Sequence, residues 1–227
     1  MIRRAALVLV ALAALFGPGP LRAAERVDLA LVLAVDSSGS VNQRRFEQQR
    51  DGYARALVSK QVLDAIGSGD NKRIAVTYFE WSDGRRMARI LPWMIVDGEP
   101  AARKAADTIR NHRRQLVGDT CIACAIDEGM KLFEEMTYET DRKVLDISGD
   151  GESNIGGSLE EARERALVAD ITINGLPIET YYEPGLARYY EQNVIGGPGS
   201  FLIVARGFDD FARAVAAKLV REIAELR

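Results

Sequence analysis

Apolar residues recur along this chain in two alternating rhythms. Seven of them stand together from Leu29 to Val35 and stop at Asp36-Ser37-Ser38-Gly39-Ser40. A run of that length, closed by polar residues and a glycine, reads as a strand buried on both faces, and the first strand is placed over Val27 to Val35. The rhythm then changes. Between Asn42 and Lys60, Phe46, Tyr53, Leu57 and Val58 fall at helical spacing, with Arg44, Glu47, Arg50 and Arg55 on the other side. After a Gly67-Ser68-Gly69-Asp70-Asn71 loop, Arg73 to Trp81 reads as a second strand. Ser82-Asp83-Gly84 reads as a tight turn. Arg86 to Val96 returns as a third strand, and Pro92 confines it to an antiparallel edge position. Helices follow from Glu99 to about Arg114 and from Cys121 to Met136, then a fourth strand from Lys143 to Ser148. The capping box Ser158-x-x-Glu161 opens a helix that runs to Ala169. Ile171 to Ile178 is the fifth strand, Glu179 to Gly199 an irregular segment, Phe201 to Ala205 the sixth strand, and Phe208 to Leu226 the last helix.

Apart from the one hairpin, strands alternate with helices. That order predicts an α/β fold: a doubly wound, mostly parallel six-stranded sheet with one antiparallel edge strand and helices on both faces. With no linker or repeat inside it, residues 25–227 are expected to form one domain. Residues 1–24 read differently. Arg3 and Arg4 precede the apolar run Ala5 to Phe16, and Leu21-Arg22-Ala23-Ala24 supplies small residues for cleavage. This is the layout of a secretory signal peptide, with an uncleaved anchor as the alternative, and it implies a periplasmic or secreted protein. The apolar run is too short to span a bilayer comfortably. No later run reaches that length, so no stable membrane insertion is expected once the signal is removed. The net charge of −3 comes with no basic block, which disfavours a nucleic-acid partner.

Candidate chemistry gathers where strands end. In open α/β sheets ligands bind at the carboxyl ends of the strands. Asp36, Ser38 and Ser40 alternate after the first strand, Thr120 precedes the Cys121 helix, and Asp150 follows the fourth strand. All five offer oxygen only, which suits a hard cation such as Mg²⁺ or Mn²⁺ rather than a soft metal. Each also has a plainer reading. Ser38 and Thr120 can be helix caps, and Asp150 can be a turn residue. Asp150 to Glu161 fails as a calcium loop because Ile155 stands where glycine is required.

In that order and context, D-x-S-x-S followed by a distant Thr and a distant Asp-Gly resembles the von Willebrand factor A-type domain with its metal-ion-dependent adhesion site. The resemblance covers nearly the whole of residues 25–227. The stretches Leu31 to Asp36, Tyr78 to Ser82 and Ile195 to Phe201 are similar to a secreted, uncharacterised proteobacterial family of such domains, a domain of unknown function. The resemblance implies a divalent cation, Mg²⁺ or Mn²⁺, on Asp36, Ser38, Ser40, Thr120 and Asp150, with a coordination position left for a carboxylate of a protein partner. The expected function is non-enzymatic binding. The alternative is a metal-dependent hydrolase acting on phosphate or other esters, for which Glu152 is the only nearby base and reads as a solvated loop residue.

Three further expectations follow. Trp81, Tyr181, Tyr182, Tyr189 and Tyr190 can form an aromatic rim around the site, or the tyrosines can pack their own loop. Cys121 and Cys124 can pair in an oxidising compartment, remain two thiols, or act in redox chemistry. The single histidine, His112, reads as a solvated helix residue and not as part of a catalytic triad.

Overall fold

The computed structural model describes residues 24–85 and 87–224. The signal-peptide reading of residues 1–24 falls almost wholly outside the described residues. A six-stranded sheet runs in the order β3-β2-β1-β4-β5-β6. β1 (Leu29–Asp36) lies at its centre, paired in parallel with β2 (Ile74–Trp81) and β4 (Lys143–Gly149). β5 (Ile171–Glu179) pairs in parallel with β4. β3 (Ala88–Val96) runs antiparallel to β2 at one edge, as Pro92 requires. A register shift lies between the Val76 and Tyr78 pairings, and there the Thr77 hydroxyl donates to Leu91 O (2.7 Å).

The period of two in β1 divides the core into two layers. Leu29, Leu31, Leu33 and Val35 face a layer built with α1 (Gln43–Leu57), α2 (Lys60–Gly67), α3 (Glu99–Arg110) and α7 (Phe211–Ala224). Ala30, Val32 and Ala34 face the other, built with α4 (Ile122–Glu134), α5 (Leu159–Val168) and the segment around Tyr190. The small alanines on that face let α4 come close. At Gly129 of α4, a Cβ would stand only 2.6 Å from Leu145 of β4.

Most boundaries shift by three residues or fewer, and four departures from the sequence expectation change the elements themselves or exceed that. The helix expected to run from Asn42 to Lys60 ends at Leu57, and Ser59 then caps a separate α2 by accepting from Val62 N. α3 stops at Arg110 instead of Arg114. The sixth strand is not Phe201–Ala205 but Ala205–Arg206, with one isolated bridge at Leu202. Phe201 N donates to the Asn174 side chain (3.0 Å), so its amide is taken up outside the ladder. The irregular 179–199 segment contains a short α6 (Leu186–Tyr189), continued by a wider turn over Tyr190–Val194. Ser158 caps α5 by accepting from Glu161 N (3.2 Å), as the capping box predicts.

Candidate functional site

β1 delivers Asp36 to the end of the sheet fully buried. Its Oδ1 accepts from Ser38 N (2.7 Å), which folds the chain back into a tight turn. Gln49 of α1 donates to Asp36 O (3.0 Å), and Arg114 donates to Ser37 O and Ser38 O (3.2 and 2.8 Å). Gln49 and Arg114 thus hold the loop through its backbone carbonyls, and Asp36 Oδ1 ties it from within. Ser38 Oγ and Ser40 Oγ are 3.2 Å apart, and Ser40 Oγ donates to Asp150 Oδ1 (2.5 Å). Thr120 is fixed from both sides by Asn154. Its amide donates to Asn154 Oδ1 and its carbonyl accepts from Asn154 N, both at 2.9 Å. Ser40, Thr120 and Asp150 line one hollow of about 560 Å³, with Arg45, Glu152, Asn154, Thr180, Tyr182 and Glu183 also on its wall.

The structure therefore brings the sequence-predicted oxygens together, from Asp36 through Ser38 and Ser40 to Asp150, with Thr120 on the same hollow. The electrostatics of the pair are costly. Burial pushes the Asp36 carboxyl up to about 7, and the nearby Asp150 charge adds to the rise. Burial also raises Asp150, against the pull of Ser40 and Arg45. Among the described residues, Asp36 Oδ2 is buried and meets no hydrogen-bond donor. A buried carboxylate oxygen without a donor, beside a second carboxylate, is what a cation would relieve. Among the described residues no group of three or more His, Cys, Asp and Glu is placed to hold a metal ion. The candidate set is larger only because three of its members are hydroxyls. Two carboxylates and three hydroxyls fit a hard divalent cation that keeps part of its water.

Other expectations are corrected. Trp81 is fully buried in the layer under α4, and Tyr190 is fully buried too, so neither forms a rim. Tyr190 instead reaches the site from beneath. A Cβ on Gly149 would lie 2.8 Å from Tyr190 Oη and 3.0 Å from Asp36 Oδ2, so both oxygens crowd the same glycine. Tyr189 is half-buried and its hydroxyl accepts from Ser153 N (3.2 Å). Tyr181 and Tyr182 are exposed, and only Tyr182 lines the hollow. His112 is not a solvated helix residue. It lies past the end of α3, with Nε2 3.0 Å from the buried Glu80 Oε1. Arg45, Gln49, Arg114 and Asn154 carry no sequence signal for these roles, since their spacing along the chain is ordinary for solvated positions.

Cys121 and Cys124 form a disulfide at the start of α4. Two loops press on it. A Cβ on Gly84 would collide with Cys124 Sγ, and one on Gly156 with Cys121 Sγ. Both glycines have positive φ, 82° and 102°, so these positions favour glycine on two counts.

The family described as "Protein of unknown function (DUF1194)" matches residues 26–227. The chain belongs to this family. No curated protein matches it. Among solved structures, the von Willebrand factor type A protein of Catenulispora acidiphila is similar with a TM-score of 0.61 and 14% identity, over 87% of this chain and 43% of that one. Proximal thread matrix protein 1 of the mussel byssus, with a zinc-occupied MIDAS motif, gives a TM-score of 0.59 at 13% identity, over 88% of this chain and 48% of that one. The pilus adhesin SpaC of Lactobacillus rhamnosus GG, in its open conformation, gives 0.58 at 16% identity, over 90% of this chain and 30% of that one. This chain thus spans less than half the length of each of these proteins. At such identities the likeness establishes the von Willebrand factor A-type fold and no more. No described helix is long and apolar enough to cross a membrane.

Proposed function

We propose that this member of the family is an exported, non-enzymatic binding module. It engages a carboxylate on a protein partner through a divalent cation, Mg²⁺ or Mn²⁺, held by Asp36, Ser38, Ser40, Thr120 and Asp150. The observation that carries the reading is Asp36 Oδ2, fully buried beside a second carboxylate and without a donor. The bound cation would supply a Lewis-acidic position for an anionic oxygen at the mouth of the hollow. The chain's own part is to hold the donors: Gln49 and Arg114 pin the first loop, and Asn154 pins Thr120. A zinc-occupied MIDAS motif in the mussel protein and the adhesin role of SpaC lend support by analogy of fold. So does the apolar leader of the sequence, for export. The acidic groups on the hollow besides Asp150 are Glu152 and Glu183, both exposed, and among the described residues no contact poises either as a base.

The test is Asp36→Ala. The variant is expected to keep its fold and to lose calorimetric Mg²⁺ and Mn²⁺ binding altogether. An unchanged titration would overturn the assignment. An EDTA-sensitive pull-down from the cell envelope would then identify what the loaded site holds.

A further inference from the structure

Arg45 lies in the first turn of α1, and its guanidinium is anchored at the mouth of the candidate site. Nη1 donates to Ser40 O (2.8 Å) and to Asp150 Oδ2 (3.2 Å), and the group stacks over the Phe208 ring, 4.9 Å from its centroid. Both hydrogen bonds use Nη1. The side chain is 28% exposed and lines the hollow that holds Ser40, Thr120 and Asp150. A guanidinium carries five donors in a planar fork that matches a carboxylate, and among the described residues Nη2 and Nε of Arg45 make no hydrogen bond.

The charge balance gives this placement its meaning. Asp36 and Asp150 bring two negative charges and a divalent cation would cancel them. Counting the ligating residues alone, the loaded centre without Arg45 would be neutral, and Arg45 adds one positive charge directly beside it; Glu152 and Glu183 on the outer wall are exposed, so water and salt screen them more than the part-buried guanidinium. Such a site favours an anion over a neutral oxygen donor. In the cation-free state the same guanidinium competes for Asp150, because it already occupies Oδ2.

We propose that Arg45 is a specificity-determining residue, a second contact for the incoming ligand, so that the carboxylate is held between the cation and the guanidinium. This rests on the divalent-cation reading of the site. It has a signature that reading alone lacks, because one substitution moves two affinities in opposite directions. Arg45→Gln frees Asp150 and removes a repelling charge, so the cation binds several-fold more tightly. The same change removes a charged contact to the ligand, so a carboxylate binds about tenfold more weakly.

The experiment uses the full chain with Mn²⁺ alone, then acetate at saturating Mn²⁺, followed by the paramagnetic broadening of the acetate methyl resonance. Acetamide serves as the neutral control. Wild-type protein is expected to bind acetate in preference to acetamide. Arg45→Gln is expected to tighten Mn²⁺, weaken acetate and lose that preference, and Arg45→Lys to recover part of it. Arg45→Gln with unchanged acetate affinity, or with weakened Mn²⁺ binding, would overturn the role of Arg45. Failure of wild-type protein to bind Mn²⁺ would overturn the cation reading itself, and the two failures are told apart by the first titration.

Discussion

Lys218 offers the sharpest stability test in the molecule. It lies on α7 with no exposed surface and meets two carboxylates, Asp146 of β4 at 2.7 Å and Glu222 one turn along the helix. Asn174 donates to the same Glu222 (3.0 Å). One cation thus serves two buried acids. Burial and the Glu222 charge push the Asp146 carboxyl up to about 7 in spite of Lys218. An acid raised in the folded state stabilises below its unfolded value, near 4, and that contribution is lost as pH rises toward the folded value. Asp146 therefore contributes a fall in wild-type stability between about pH 4 and pH 7, by way of the one proton it retains. Lys218→Met removes the cation and leaves two buried acids, a change of the kind that costs about 3–5 kcal/mol. Each buried acid that must stay protonated costs about 1.4 kcal/mol per pH unit above its unfolded value. The variant retains one more proton than wild type, so its stability should fall about 1.4 kcal/mol per pH unit more steeply. From pH 5 to pH 7 the gap should widen by about 3 kcal/mol. Urea unfolding of both proteins at pH 5, 6 and 7 measures this directly. Parallel stability curves, or a loss under about 1 kcal/mol at pH 7, would refute the reasoning.

Two smaller tests probe the architecture of the site. Gly149→Ala places a Cβ between Tyr190 Oη and Asp36 Oδ2, where the built contacts are 2.8 and 3.0 Å; thermal unfolding should show a loss of about 1–3 kcal/mol from overpacking. Reducing Cys121–Cys124 releases a short loop, for which the chain-entropy relation gives about 2 kcal/mol. Hydrogen exchange should then rise first in the loops that carry Gly84 and Gly156, and unchanged exchange there would count against the packing described.

The periodic signals made the fold legible. An unbroken apolar run predicted β1, Pro92 predicted an antiparallel edge, and Ser158-x-x-Glu161 predicted the start of α5, and each is found. The site oxygens were legible for a related reason, since each follows the end of a strand or opens a helix. What the chain did not announce are contacts made across it. Nothing near Lys218 or Glu222 distinguishes them from ordinary charged positions on an amphipathic helix. Their burial depends on Asp146, which lies more than seventy residues away in sequence. His112 was misread for the same reason. It belongs to a run of basic and polar residues, yet the early end of α3 turns its ring inward to Glu80. The aromatic rim failed because aromatic residues at a strand end and in a long loop have two uses. Trp81 and Tyr190 went to the core, where each buries a large apolar area.

Asp146 on β4 and Asp150 just past its end are both buried acids with raised carboxyls, and the contrast between them separates support from function. Asp146, Ser148 and Asp150 recur at every second position of the chain, the spacing that puts strand residues on one face. Asp146 is answered within the protein by Lys218, and Ser148 accepts from the Tyr53 hydroxyl (3.2 Å) and donates to Ala34 O (3.5 Å). That end of the row is closed, with a cation of its own. At the other end Asp150 has a share of Arg45, and among the described residues its neighbour Asp36 pairs with no cation. A fold that supplies a buried lysine for one acid and leaves a pair of acids under-compensated at the sheet end has not run out of basic residues, since Arg44 stands exposed one position away from Arg45. The deficit lies where the strands end, beside an open hollow, and a charge from outside the chain is what would fill it. On this reading Asp36→Ala should remove cation binding and leave the Lys218 cluster untouched, while Lys218→Met should lower stability and leave cation affinity per folded molecule unchanged. Loss of Mn²⁺ binding by folded Lys218→Met protein would show instead that the two ends of β4 act as one unit.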